Sequence, residues 1–432
     1  MTPAARISAA IEVLDDIIRR RRPASDALKD WGLSRRFAGS KDRAAIATLV
    51  YDALRRKASS AFAMGDESPR ALVLGMLAGL RGMEMEEIAE LCSGENHAPE
   101  RLTEQEARSL ITFDLAAAPD WVRADVPDWL WPSFAASFAT EVVAEGQALA
   151  GRAPVDIRVN RLKSNRDKAL RDLAHLGPEQ GAWSPDAIRF LPGPDGRGPS
   201  LQTEPGFFEG AFEIQDEGSQ LVTLLSGAQP GDTVIDLCAG AGGKTLALAA
   251  LMQNQGRLFA TDLDSRRLAP LHDRLARSGA TNVEIRVPRN RGHEALSDVM
   301  GQADLVLVDA PCTGSGTWRR NPDAKWRVRP GALAERIKDQ AEVLARAAKL
   351  AKPGGRIAYI TCSMLPEEND GAVEAFLGKH AGFAPVPVAE VLALGQGNFA
   401  LLARFATRFG LQLSPSRTAT DGFYLACVER GA

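Results

Sequence analysis

The chain has 432 residues, 45% of them hydrophobic and 25% charged, with a formal net charge of -3 and a pI near 6.1. Its length exceeds one ordinary core and predicts two or three domains of a soluble globular protein. No run of eighteen apolar residues occurs, and the N-terminus lacks the order of a secretory signal, so a cytoplasmic location is the default expectation.

The even overall balance hides an asymmetry. Residues 1 to 60 hold 13 Lys/Arg against 7 Asp/Glu, net +6, whereas residues 66 to 145 hold 5 against 16, net -11. Read alone, a pI near 6.1 argues against nucleic acid, but local basic faces are the relevant footprint. The helical region expected over 1–145 opens with ISAAIEVLDDIIRR and DRAAIATLVYDALRR, both with apolar residues at three- and four-residue steps. The loop between them adds Arg35, Arg36 and Lys41. These basic groups read either as a phosphate-contacting patch or as solvated helix faces.

A small α/β segment follows over 150–215. Residues 154–160 alternate as a strand, 162–177 read as a helix closed by Gly177, and 187–191 form a second strand candidate before the turn-rich run at 192–200. Beyond Pro230-Gly231, strand candidates at 233–238, 257–262, 282–287, 304–309, 356–361 and 423–429 are separated mostly by amphipathic, helix-length segments. That alternation predicts an α/β class domain over 216–432, doubly wound around a mostly parallel sheet.

At the end of the first of these strands, DLCAGAGGKT (236–245) is a strand, a glycine-rich turn and a helix start. Its spacing excludes a Walker A loop, which would need glycine at Cys238, and a dinucleotide fingerprint, which would need glycine at Thr245. Asp262 ends the next strand. An acid there can accept hydrogen bonds from both ribose hydroxyls of an adenosine ligand, or can simply cap a helix. A glycine-rich turn with that acid and no pyrophosphate geometry points to S-adenosylmethionine.

The five cysteines, at 92, 238, 312, 362 and 427, form no CxxC pair and indicate neither a disulfide framework nor a metal site. Cys312 follows the strand ending at Asp309, and Cys362 follows the strand ending at Thr361. If those strands are neighbours, both thiols open into one pocket beside Asp309. Methylation at carbon 5 of a cytosine needs this equipment, because that carbon is too poor a nucleophile until a thiolate adds to carbon 6. Asp309 is placed to bond the N3 edge and exocyclic amine of the base. The ring must be reached from both sides, so a flipped or single-stranded base is expected. The basic, tryptophan-containing run after Cys312, with Trp318, Arg319, Arg320, Lys325 and Arg327, reads as an RNA track, against core for Trp326 and solvated surface for the arginines.

With DLCAGAGGKT, DAPCTGSGTWRRNPD (309–323), TCSMLPEEN (361–369), IQDEGSQL (214–221) and TDGFYLACVER (420–430), the sequence resembles the Nop/Sun family of RNA cytosine-carbon-5 methyltransferases, in its bacterial ribosomal-RNA branch. The resemblance implies a Rossmann-like methyltransferase domain and a monomer acting on small-subunit (16S) ribosomal RNA. It implies Cys362 as nucleophile, Cys312 in product release and Asp309 on the cytosine. The cofactor would lie on Cys238, Ala239, Gly240, Ala241, Gly242, Gly243, Lys244 and Asp262, with Asp309 beside it. The N-terminal helices resemble a NusB-type RNA-binding domain. DNA cytosine methyltransferases attack with the cysteine of their PC motif, so the two thiol roles can also be argued in reverse. Two departures stand out: Gly240 and Ala241 replace the family's Ala-Pro, and no acid follows the third strand, where Asn290 is the remaining acceptor. They motivate an alternative, a non-catalytic RNA-binding ribosome assembly factor that keeps the methyltransferase fold.

Overall fold

The computed structural model describes residues 1–432 except 194–195, 289–292 and 396, with only the backbone of 293–294. The described chain divides into two compact units, Met1–Arg152 with Trp318–Val328, and Ala153–Thr317 with Arg329–Ala432.

The first unit is helical. Its opening helix, Pro3–Arg20, starts on Thr2, whose side chain accepts the Ala5 N-H, and buries the stripe Ile7, Ala10, Val13, Leu14 and Ile17. Helix Ser40–Arg55 packs beside it, and helix Pro69–Gly79 is apolar almost all round, as a helix at the centre of a bundle must be. Gly75 allows a close approach there: a Cβ would lie 2.9 Å from the Cα of Ser60. The segment Trp318–Val328 completes this unit. Trp318 is 1% exposed and stacks on Phe134 with centroids 5.4 Å apart. The Trp326 indole N-H donates to the Leu54 carbonyl at 2.7 Å, and the Asp323 carboxylate accepts the Ala24 N-H that begins helix Ala24–Ser34.

Lys325 is buried in the same segment, its ammonium 3.3 Å from the Arg55 carbonyl and 4.9 Å from the centre of the Trp326 ring. Burial pulls its pKa down to about 7 from 10.5. The unfolded chain therefore binds more protons than the folded one between those values, and stability rises as pH climbs through that window. Lys325→Met is expected to raise the melting temperature at pH 7, by about 1–2 kcal/mol of stability, and to flatten that rise. Thermal melts from pH 6 to 10 check both.

In the second unit, a four-stranded antiparallel sheet comes first, from β1 (Val155–Val159), β2 (Glu179–Gln180), β3 (Ala187–Phe190) and β4 (Phe212–Ile214) in the order β2-β3-β1-β4. Ile157, Val159, Ile188, Phe190 and Phe212 form its core. The larger sheet holds β5 (Thr233–Asp236), β6 (Arg257–Ala260), β7 (Val283–Ile285), β8 (Ala303–Asp309), β9 (Ala351–Thr361), β10 (Phe383–Pro385), β11 (Leu411–Leu413) and β12 (Phe423–Arg430). Its order is β10-β12-β9-β8-β5-β6-β7, with β11 also on β12. Strands β5 to β9 run parallel, and β12 lies antiparallel to β9.

Chain order reverses between β5 and β8, so a crevice opens at the C-terminal ends of those two strands. A buried polar web joins the small sheet to this region. Asp156 of β1 accepts from Arg189 at 2.7 and 2.8 Å and from the Glu217 N-H, and Arg158 donates to Gln215 and to the Gly243 carbonyl. Among the described residues no helix is long and apolar enough to cross a membrane, and no cluster of three or more metal-ligating side chains occurs.

Candidate active site

The glycine-rich turn sits where β5 leaves the sheet. Gly240 and Gly242 both take left-handed backbone, φ +51 and +85, and helix Gly243–Leu251 begins with no side-chain cap, leaving its first N-H groups for a ligand. A Cβ at Gly242 would stand 2.1 Å from the Leu271 side chain. Gly242→Ala is therefore expected to destabilise the protein by about 1–3 kcal/mol, through strained backbone and overpacking. A urea midpoint checks this.

Asp262, just past β6, is 5% exposed and closes this cradle. One carboxylate oxygen accepts the Gly240 N-H at 3.1 Å and the Arg267 guanidinium at 3.1 Å, and the other accepts the Asp264 N-H. Arg267 has a 61% exposed side chain, so a ligand hydroxyl can replace it at small cost. The turn and the acid thus fit an adenosine-bearing ligand. Cys238 does not offer its sulfur: burial pushes the thiol up, and the side chain packs on the core. Ala239 is buried and Ala241 exposed, its carbonyl held by Arg274 at 2.6 Å. Asn290 lies outside the described residues.

Lys244 spans the crevice. Its ammonium meets the Asp309 carboxylate at 2.7 Å and lies 5.2 Å from the centre of the Phe423 ring. A residue expected on the cofactor side is therefore seated on the acid at the end of β8. Beneath the pair, Asp236 is fully buried; one oxygen accepts from Thr245 at 2.7 Å and the other has no partner among the described residues. Burial raises its pKa to about 7.

Cys312 and Cys362 meet on the turns that leave β8 and β9. The pairing of Asp309 with Ile360 across β8 and β9 brings the two following turns side by side, with the sulfurs 3.4 Å apart. The Cys312 thiol is pushed well up, first by its hydrogen bond to Cys362 and then by burial, so it stays protonated, and either sulfur can be the donor in the pair. Beneath both turns lies Glu368, which is fully buried. Its carboxylate accepts the Thr313 N-H at 2.8 Å, the Thr313 hydroxyl at 2.5 Å, the Ser363 hydroxyl at 2.5 Å and the Gln340 amide at 3.1 Å. Sequence reasoning missed this residue. Its one signal is an acid six positions after Cys362, inside a motif that has no other reason to bury a carboxylate.

The expected RNA track needs correction. Trp318, Arg319 and Lys325 are 1%, 4% and 1% exposed, so they support the helical unit and present no stacking surface. The segment is drawn inward because two indoles and a lysine stem bury more apolar area than the run's charge suggests. Arg320 is half-buried, and Arg327 is exposed and paired with Asp323 at 3.0 Å. Of the N-terminal candidates, Arg35 pairs with Glu12 at 2.7 Å and Arg36 is exposed beside Phe37, which is 71% exposed.

The family description "16S rRNA methyltransferase RsmB/F" matches residues 222–429, and "Methyltr_RsmF/B-like, ferredoxin-like domain" matches residues 126–193. Ribosomal RNA small subunit methyltransferase B of Sodalis glossinidius is 37% identical over 69% of this chain. The chain belongs to the RsmB/F methyltransferase family. The alignment spans 64% of that relative's own length. Among solved structures, PH0851 is 26% identical, with a TM-score of 0.72 over 100% of this chain and 99% of that one. A methyltransferase homolog protein from Pyrococcus horikoshii is 25% identical, with a TM-score of 0.58 over 72% of this chain and 97% of that one. The RsmB/F match over 222–429 takes in the glycine-rich turn, Asp262, Lys244, Asp309 and both cysteines, and the sheet order is that of a Rossmann-like methyltransferase.

Proposed function

We propose that this RsmB/F member methylates carbon 5 of a cytosine in small-subunit ribosomal RNA, with S-adenosylmethionine as methyl donor and Cys362 as nucleophile. The observation that carries the reading is the thiol pair, 3.4 Å apart on the turns that follow the paired strand ends at Asp309 and Ile360. When bound, S-adenosylmethionine supplies an electrophilic sulfonium methyl group. Gly240 and Gly242 let it approach the backbone, the uncapped start of helix Gly243–Leu251 faces it, and Asp262 takes its ribose hydroxyls in place of Arg267.

The chain's own groups then prepare the base. Cys362 adds to carbon 6, which makes carbon 5 enamine-like and able to accept the methyl group. Asp309 accepts from the exocyclic amine and shares the Lys244 proton toward N3, which stabilises the charge that builds on the ring. A water molecule takes the proton from carbon 5, the freed electron pair restores the 5,6 double bond, and the carbon 6–sulfur bond breaks to release Cys362 as a thiolate, to which the Cys312 S-H donates a hydrogen bond. Arg36 with exposed Phe37 is proposed as part of the RNA-binding surface of the helical unit, since an exposed aromatic ring beside basic groups suits single-stranded RNA.

Incubation with hypomethylated small-subunit RNA and labelled S-adenosylmethionine, followed by bisulfite sequencing, tests the reading. One protected cytosine is expected. Binding of RNA and cofactor with no transfer would favour the non-catalytic assembly factor, and methyl label in a base other than cytosine would overturn the assigned chemistry.

A further inference from the structure

The two cysteines stand on separate turns with no covalent link between them, yet their sulfurs are held within 3.4 Å. We propose that Glu368 is the positioning residue that sets this gap, tying the turn of Cys312 to the turn of Cys362 through one buried carboxylate. Its catalytic meaning rests on the function proposed above; its geometry does not. Thr313, next to Cys312, gives Glu368 both its N-H and its hydroxyl, and Ser363, next to Cys362, gives its hydroxyl. Gln340, on helix Pro330–Leu350, donates to Glu368 and also to the carbonyl of Pro311, the residue before Cys312. From β9, the Tyr359 hydroxyl donates to the Glu368 carbonyl at 2.7 Å and fixes the backbone.

A buried anion is stable only when donors surround it, and here the donors come from both turns and a helix, so none can move without stranding the charge. The turns also bond to each other directly, through the Gly316 N-H to the Cys362 carbonyl at 3.0 Å and through Ser315 to Ser363 and the Met364 N-H. Glu368 also acts by charge. The titratable groups facing Cys312 are Cys362, Glu368 and Tyr359, and the Glu368 carboxylate adds to the forces that hold Cys312 as a thiol while Cys362 attacks. A misplacement of about 1 Å between reacting groups costs on the order of a hundredfold in rate.

Full-length Glu368→Gln and Glu368→Ala proteins test this in two arms. In the first, iodoacetamide labelling at pH 8 is followed peptide by peptide. Removing the charge in Glu368→Gln is expected to speed Cys312 labelling about tenfold, because the thiolate forms more readily without a neighbouring anion. Cys238 and Cys427 should stay unlabelled, which excludes general loosening. In the second, kcat is expected to fall about 10- to 100-fold with KM for RNA unchanged, less in Gln than in Ala. If Glu368→Ala fails to fold, Thr313→Val, which removes one hydroxyl donor, should shift both readouts the same way by a smaller factor. Unchanged Cys312 labelling with unchanged kcat overturns the proposal. If the unaltered protein transfers no methyl group, the function fails and the labelling arm alone decides the role of Glu368.

Discussion

Cys362→Ala is expected to transfer no methyl group and to form no covalent complex with RNA, a loss on the order of 10,000-fold or more, as when a sole nucleophile is removed. The size follows from the chemistry: without a thiolate on carbon 6, carbon 5 of cytosine has no path to the methyl group. The neighbouring thiol cannot substitute. With Cys362 gone, Cys312 is still held protonated by burial and by the Glu368 charge, and its turn is anchored through Thr313 to Glu368. Folding should survive, because Cys362 is only partly buried against the core and the turns keep their backbone bonds. Filter-bound methyl counts and denaturing gels check the result.

Cys312→Ala is expected to give the opposite phenotype: normal attack, then a protein-RNA complex that persists through denaturation. Removing this thiol takes away the group 3.4 Å from the sulfur that must leave, so release slows while addition does not. Turnover should fall by about a hundredfold or more, within the usual range for losing one acid-base group. A gel-shifted species that grows with time and carries methyl label is the readout. If Cys312→Ala abolishes the adduct and Cys362→Ala accumulates it, the roles are reversed, as in the DNA enzymes.

Most of the large sheet was legible because buried strands read as short apolar runs, and the parallel β5, β6, β8 and β9 and the antiparallel β12 fall where those runs do. The strands β2, β4, β10 and β11 were not, since two or three residues carry no period and each exists through its pairing partner. The thiol pair was legible from two strand ends and one assumption about neighbours, which the β8 to β9 register supplies. The fate of Trp318–Val328 was not. A basic aromatic run looks like surface in sequence, and nothing local announces that Lys325 will meet the carbonyl of Arg55, 270 positions earlier. Glu368 was hidden for the same reason, because its partners Thr313, Gln340 and Ser363 come from three parts of the chain.

The central claim is that Cys362 bonds to carbon 6 of a cytosine. Small-subunit RNA carrying 5-fluorocytosine blocks the last step, because fluorine at carbon 5 cannot leave as a proton does. Incubating the unaltered protein with this RNA and S-adenosylmethionine, then digesting and mapping the trapped complex by mass spectrometry, locates the bond directly. A methylated fluorocytidine on the peptide containing Cys362 is the predicted result; the same nucleotide on the peptide containing Cys312, or no cysteine adduct at all, would contradict it.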